Sequence, residues 1–266
     1  MDLGLAGKGI IVTGGGSNIG RSISLCFAKE GANVLIGDID IPQAEKTAAE
    51  ANALKAGGRT SVVKCDVTSL DDVKGMLDTA VSQFGRVEAL VNNVGWDNLM
   101  LFLETTPDFW DKVISINYKG VLNCTHTILP HMIEKGGGSI VSISSDASRM
   151  GEFREAVYGG CKAAINSFMK TIARENGRHA IRANVVCPGV TVPKEPEQIG
   201  EQSMWRSTSG LFTEEQMEKI ARAMPLRKVG RPDDIAYPVV FLSSSVAAGH
   251  ITGQILSASG GYSMVG

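Results

Sequence analysis

Gly9-Ile-Ile-Val-Thr-Gly-Gly-Gly-Ser-Asn-Ile-Gly20 is the stretch that decides how this chain folds. Ile10 to Val12 form a short apolar run, the pattern of a strand buried on both faces in a parallel sheet. The glycines begin where that run ends, and beyond Gly20 the residues Ile23, Phe27 and Ala28 recur at helical spacing. A strand, a Gly-rich turn and a helix in this order let backbone N–H groups approach a pyrophosphate, and the helix N-terminus adds a partial positive charge. Gly14, Ser17, Asn18, Ile19 and Gly20 are therefore expected to cradle the phosphates of a dinucleotide.

An ordinary glycine-rich loop would read the same way but for the strand that comes after the helix. That strand, Asn33 to Gly37, ends in Asp38, 18 residues beyond Gly20, where an acidic residue would bind the adenosine ribose. A carboxylate there repels the 2′-phosphate of NADP by ~1 to 4 kcal/mol at about 4 Å, depending on screening. Ile39 is next and no Arg is adjacent to answer that phosphate, so the expected cofactor is NAD.

Outward from this unit, helices and strands alternate. A helical stretch over 42–56 leads to a strand Ser61–Cys65 that closes on Asp66-Val67. A helix over 69–84 carries Val73, Met76, Leu77, Ala80 and Val81 on one face, and a strand Val87–Val91 ends in Asn92-Asn93-Val94-Gly95. Such turn residues lie on the side where open α/β sheets bind ligands. The pattern predicts a helix over 107–129 with a break near Asn117, because Asn is unfavourable inside an apolar helix. A strand Ser139–Ser144 leads to Ser145, and Tyr158-Gly-Gly-Cys-Lys162 sets a phenol and an ammonium on one helix face. Ala164, Ile165, Phe168, Met169, Ile172 and Ala173 continue that helix, with Gly177 as its stop. A phenol titrates near ~10, so acid–base work at neutral pH needs a neighbouring cation, and Lys162 is placed to be one. Residues 190–222, mixed in composition and including an exposed-looking Trp205, read as a flap. A helix over 236–242 and a strand Gln254–Ala258 complete the pattern. The fold class expected is α/β, a single-domain Rossmann-type doubly wound parallel sheet with helices on both faces.

Composition narrows the function. At 266 residues and 43% hydrophobic, the chain suits one large core, and a net charge of -2 gives no basic field for nucleic acid. The five cysteines are scattered singly and read as buried thiols, and His126, His131, His179 and His250 lack metal-ligand spacing, so no metal is expected. No apolar run approaches ~20 residues and the N-terminus is not signal-like, so no membrane partner and a cytoplasmic location are expected.

TGGGSNIG at 13–20, Asp38, Asp66-Val67, NNVG at 92–95, Asn117, Ser145, Tyr158 with Lys162, and Pro188-Gly189 resemble, in order, the motifs of the classical short-chain dehydrogenases/reductases. The likeness runs nearly the whole length. It implies that Tyr158 takes the proton of a substrate hydroxyl while hydride passes to NAD, that Ser145 holds the substrate oxygen, and that Asn117 anchors a proton-relaying water. Lys162 would also bind the nicotinamide ribose. Asp66, Val67, Asn93, Val94, Gly95, Pro188, Gly189, Val190 and Thr191 would complete the cofactor site, with Trp96 and Asp97 lining the substrate pocket. Asn18 stands where the family usually has Gly, and Thr191 is the candidate for a displaced nicotinamide contact. The segments NNVGWD, SDASRMGEFREAVYGGCK and VVCPG resemble the 2-hydroxycyclohexanecarboxyl-CoA dehydrogenases, which implies a cyclic or aryl β-hydroxyacyl-CoA as substrate. Arg149, Arg154, Lys194 and Arg206 are the candidates for a CoA phosphate. The alternatives are a dehydrogenase of a free cyclic alcohol or sugar, a 3-oxoacyl-carrier-protein reductase, and a catalytically silent subunit. The family's contacts imply a homotetramer through the helix around Ala236 and the C-terminal glycines.

Overall fold

The computed structural model describes residues 2–193, 195–203 and 213–265; Lys194, Trp205 and Arg206 lie outside them. Seven strands form one sheet: β1 (Gly9–Thr13), β2 (Asn33–Asp38), β3 (Thr60–Lys64), β4 (Ala89–Asn92), β5 (Gly138–Ile143), β6 (Ile181–Pro188) and β7 (Ile255–Ala258). Their order is β3-β2-β1-β4-β5-β6-β7 and every pairing is parallel. Helices α1 (Asn18–Lys29), α2 (Ile41–Ala53), α3 (Leu70–Phe84), α4 (Pro107–Ile114), α5 (Gly120–Glu134), α6 (Ala147–Met150), α7 (Ala156–Asn176), α8 (Glu214–Ala223) and α9 (Pro232–Ser243) connect them.

Strand periodicity sends alternate side chains to opposite layers. Ile11, Leu35 and Leu90 face α3, α5 and α7, packing with Met76, Ile128 and Ile165. Ile10, Val12, Val34 and Ile36 face α1, α2 and α9, packing with Phe27, Ala44 and Ile235. Both faces of the sheet are covered, which is why β1 reads as an unbroken apolar run. Helix starts obey local chemistry: Asp40 accepts from Gln43 N ahead of α2, Ser69 from Asp72 N ahead of α3, and Thr106 from Phe109 N ahead of α4. Gly85, at φ 74, closes α3.

Sequence periodicity does not announce β6. Its inner positions include Arg182 and Asn184, both buried. The Arg182 guanidinium donates to the carbonyls of Leu242, Ile251, Ser243 and Ser244, so it satisfies the C-terminal end of α9 from inside the core. Asn184 Nδ2 donates to Ile251 O at 2.9 Å and its oxygen accepts from Gln254 N at 3.0 Å. The α7 helix begins at Ala156 and stops at the expected Gly177, but Gly177 is right-handed at φ -57 and the left-handed residue is Ala180, at φ 57. The break near Asn117 is a π-helical turn, Ser115–Lys119, between α4 and α5. The sheet order reverses between β1 and β4, and the crevice beyond the carboxyl ends of those strands is where the predicted site residues collect.

Candidate active site

A cavity of about 670 Å³ opens at that crevice, and every catalytic, cofactor and substrate-pocket residue inferred from the sequence lines it except Asn117. One end is built by the turn after β1. Gly14 takes φ 61, a left-handed conformation that glycine adopts without a Cβ penalty. A Cβ on Gly20 would collide with the Gly14 carbonyl and lie close to Asn93 Nδ2, so helix and turn touch backbone to backbone. Asn93 braces this arrangement by donating from Nδ2 to Thr13 O and Gly14 O, each at 3.0 Å. Asp38, at the end of β2, is buried with one oxygen accepting from Gly16 N at 2.9 Å and the other from Asp40 N at 3.0 Å. Burial raises its carboxyl above the ordinary value, and these backbone donors act against that.

Asn18 is the irregular member. It has φ 45, is 6% exposed, and neither atom of its amide has a partner although it lines the cavity. The described part of the 190–222 segment touches this same end: Gly200 N donates to Ser17 Oγ at 3.0 Å, and Gln43 Nε2 donates to Glu197 O at 3.1 Å. Asp66 accepts from Thr68 N and Thr68 Oγ1, and Val67 is buried. Beyond β6, Thr191 is buried and its hydroxyl donates back to Gly189 O at 3.1 Å.

The other end holds the titratable groups. Lys162 is buried, and its Nζ donates to Ile143 O at 3.0 Å and sits 5.4 Å from the centroid of the Tyr158 ring. Burial lowers its pKa to about 8. Ser145 and Tyr158 line the same cavity, where their oxygens would hold a substrate oxygen. The phenol is pushed up, foremost by burial and then by the charges of Glu155 and Asp97, with Ser145 opposing them. Desolvation and these acid charges thus raise the phenol, and Lys162, expected to lower it, is not among the groups that shift it.

Asn117 is fully buried, and its carboxamide is taken up by backbone. Its Nδ2 donates to Trp96 O at 2.6 Å and to Val113 O at 2.9 Å, and its Oδ1 accepts from Trp96 N at 3.1 Å. A Cβ on Gly95 would lie 3.2 Å from both Asn117 Oδ1 and Lys162 Nζ. Asn117 thus fixes the loop after β4 against Lys162 from behind the cavity wall. Trp96 packs on Phe109 with ring centroids 5.9 Å apart, and Lys112 Nζ lies 3.8 Å from the Trp96 ring centroid.

Sequence reading missed three further acids and one phenol on this wall: Asp146, Glu152, Glu155 and Tyr262. The Tyr262 hydroxyl donates to Glu152 at 2.7 Å. Glu155 is raised to about 7 by burial, then by Asp97 and Glu152, and Asp97 to about 6 by burial. The spacing Glu155-x-x-Tyr158 was the available signal. Arg149 donates to Ser257 Oγ and Val265 O, and Arg154 to Leu99 O; neither lines the cavity. Among the described residues no group of His, Cys, Asp or Glu could hold a metal ion, and no helix is long and apolar enough to cross a membrane.

Comparison with known proteins points to one family. A family model described as enoyl-(acyl carrier protein) reductase matches residues 14–263. The 3-oxoacyl-(acyl-carrier-protein) reductase FabG of Thermotoga maritima is 33% identical over 257 residues, 97% of this chain and 98% of that protein. Its counterpart from Staphylococcus epidermidis is 36% identical over 258 residues, 97% of this chain and 99% of that protein. A 7α-hydroxysteroid dehydrogenase, solved with NADH and 7-oxo glycochenodeoxycholic acid, superposes with a TM-score of 0.87 at 31% identity, covering 98% of this chain and 96% of that one.

Proposed function

This chain belongs to the classical short-chain dehydrogenase/reductase family, and we propose that it is an NAD-dependent oxidoreductase interconverting a secondary alcohol and a ketone. The observation that carries the reading is the meeting of Ser145, Tyr158 and Lys162 in one cavity with the Gly14–Gly20 turn and Asp38. The backbone cradle left by Gly14 and Gly20 and the two-oxygen acceptor of Asp38 fit a dinucleotide with a free 2′-hydroxyl. When bound, the nicotinamide supplies the hydride acceptor. Ser145 Oγ and the Tyr158 hydroxyl hold the substrate oxygen, and Tyr158 takes its proton as the carbonyl forms. Lys162, anchored on Ile143 O, keeps a positive charge beside the phenolate that accepts this proton. Asn117 holds the loop that carries Gly95 and Trp96, and the proton relay through a water at Asn117 rests on family resemblance.

For the substrate, the acid-lined wall favours a small cyclic alcohol or sugar carrying further hydroxyl or amino groups. The second reading, a cyclic or aryl β-hydroxyacyl-CoA, is supported by the short-segment resemblance and by relatives named for acyl-thioester reduction. Against it, Arg149 and Arg154 are bound to the chain's own oxygens. A homotetramer through α9, where Tyr237 is exposed, and a cytoplasmic location complete the proposal. The test is the initial rate of NAD reduction with cyclohexanol, trans-1,2-cyclohexanediol, 2-hydroxycyclohexanecarboxyl-CoA and its free acid, each repeated with NADP. Saturable turnover with NAD preferred supports the reading, and preference for NADP overturns the role given to Asp38. Binding of NADH without turnover of any alcohol places the chain with the silent subunits.

A further inference from the structure

Beyond β7 the chain turns back to the cavity. Gly260 and Gly261, at φ 65 and 87, make that turn, and a Cβ on Gly261 would press on Pro225. Backbone bonds fix it: Leu226 N donates to Gly260 O at 3.0 Å, and Tyr262 N to Ser259 O at 3.2 Å. It also packs on the cofactor loop, since a Cβ on Gly189 would lie 2.8 Å from Ser259 Cβ. Of the described residues beyond β7, Tyr262 alone lines the cavity.

Its partner, Glu152, stands between α6 and α7 on a segment that is itself tied down. Gly151 N donates to Ala147 O at 3.2 Å, and Arg154 is joined to the loop after β4, accepting from Met100 N at 3.2 Å and donating to Leu99 O at 2.7 Å. The Tyr262 hydroxyl donates to Glu152 Oε2 at 2.7 Å, and Glu152 Oε1 accepts from Phe153 N at 3.1 Å. Tyr262 and Glu152 are both half-buried, so the pair presents surface to whatever fills the cavity. Asp146 also bonds across, accepting from Ser257 Oγ at 2.6 Å, but it is buried. Among the described residues no backbone hydrogen bond joins 259–265 to 146–155. Side chains join them instead: Tyr262 to Glu152 at the cavity, and Arg149 to Val265 O away from it. The phenol, pushed up to about 12 foremost by this bond, stays a donor through neutral and mildly alkaline pH.

We propose that the Glu152–Tyr262 hydrogen bond is a clasp closing the wall of the substrate end, which makes Tyr262 the residue that limits the size of the alcohol admitted. Compact monocyclic alcohols are the class this selects over fused-ring alcohols. The inference rests on the dehydrogenase reading and deepens it.

The experiment measures kcat and KM with NAD for cyclohexanol and the fused-ring alcohol 2-decahydronaphthol in the wild type, Tyr262→Phe, Tyr262→Ala, Glu152→Ala and Glu152→Gln, with NADH affinity by fluorescence and a thermal melt for each protein. Tyr262→Phe keeps the ring and leaves the Arg149 bond in place, so it retains the fold. The wild type should prefer cyclohexanol, and Tyr262→Phe should narrow that preference in kcat/KM by about tenfold, through a higher KM for cyclohexanol with kcat changed by less than about twofold. Glu152→Ala should match Tyr262→Phe, and Tyr262→Ala, which removes the ring, should narrow the preference further. Glu152→Gln keeps an oxygen that accepts from the phenol and should restore the wild-type preference. A preference unchanged in Tyr262→Phe and Tyr262→Ala overturns the inference while leaving the dehydrogenase intact, as does a wild type that prefers the fused-ring alcohol. A change in Tyr262→Ala alone assigns the limit to the ring without its bond, and overturns the clasp. Equal losses on both alcohols, with a lower melting temperature or weaker NADH binding, assign the bond to stability or to the cofactor and overturn it too. Tight NADH binding without turnover of any alcohol in the wild type overturns the dehydrogenase reading and this inference together.

Discussion

Replacing Glu155 by Gln should move the pH profile of alcohol oxidation toward acid. Glu155 precedes α7 directly, three residues before Tyr158, and its pKa of about 7 leaves it ionised where a phenol is deprotonated. Its charge is the largest electrostatic contribution, after burial, that holds the Tyr158 proton on. Unit charges at about 6 Å interact by ~0.7 kcal/mol in water and ~2.8 kcal/mol at an effective dielectric of 20. At 1.36 kcal/mol per pKa unit, removing the charge lowers the phenol by ~0.5 to 2 units. Asp97, Asp146, Glu152, Tyr262 and Lys162 also face this region and remain in the variant. The assay is kcat/KM for the best alcohol with NAD across the rising alkaline limb, which reports ionisations of the free enzyme. Glu152→Gln is the control, because Glu152 acts on Glu155 and is not among the groups that perturb Tyr158. A limb that stays in place in Glu155→Gln, or moves to higher pH, refutes the claim that this acid tunes the phenol.

Asp38→Asn should relax the cofactor preference, raising kcat/KM with NADP relative to NAD by roughly 5- to 1,000-fold, the range set by ~1 to 4 kcal/mol of lost repulsion; an unchanged ratio would show that another group excludes the 2′-phosphate. Asn18→Gly should stabilise the cofactor-free protein by about 1 kcal/mol, since it removes a left-handed non-glycine residue and two unmet amide atoms while adding glycine's backbone entropy. A thermal melt should rise by roughly 2–4 °C, and a fall would mean that the amide is satisfied in solution. Stability should also depend on pH through Glu155, whose folded pKa of about 7 lies above its ordinary 4.5. A carboxyl raised in this way contributes stability that is present below about pH 4.5 and lost as pH rises through 7, up to ~3 kcal/mol and less where Asp97 titrates with it. Urea unfolding at pH 5 and pH 8 should show that loss, and Glu155→Gln should flatten it; equal slopes in both proteins would exclude Glu155 as its source.

The places where sequence reading and structure part have physical causes. β6 escaped periodicity because Arg182 and Asn184 occupy buried positions in it, and their carbonyl partners lie 60 or more residues away in sequence. Asn117 was legible as a helix interruption because its residue type conflicts with its surroundings. Its contacts with Trp96 and Val113, and its position behind the cavity wall, depend on how α4 and the loop after β4 meet. Glu152 and Tyr262 form one pair although 110 residues separate them.

What the sequence determined by itself is what local chemistry encodes. The Gly-rich turn, Asp38 at a strand end, the Tyr158–Lys162 spacing and the alternation of apolar strands with amphipathic helices identify a doubly wound sheet and a dinucleotide site, because each is read within a few bonds of backbone. Only the tertiary structure decided the electrostatics of the substrate end. Whether a carboxyl is solvated, paired or left unmet depends on which distant segments surround it, and burial, which sequence spacing does not report, is the foremost cause of the shifts at Asp97, Glu155, Tyr158 and Lys162.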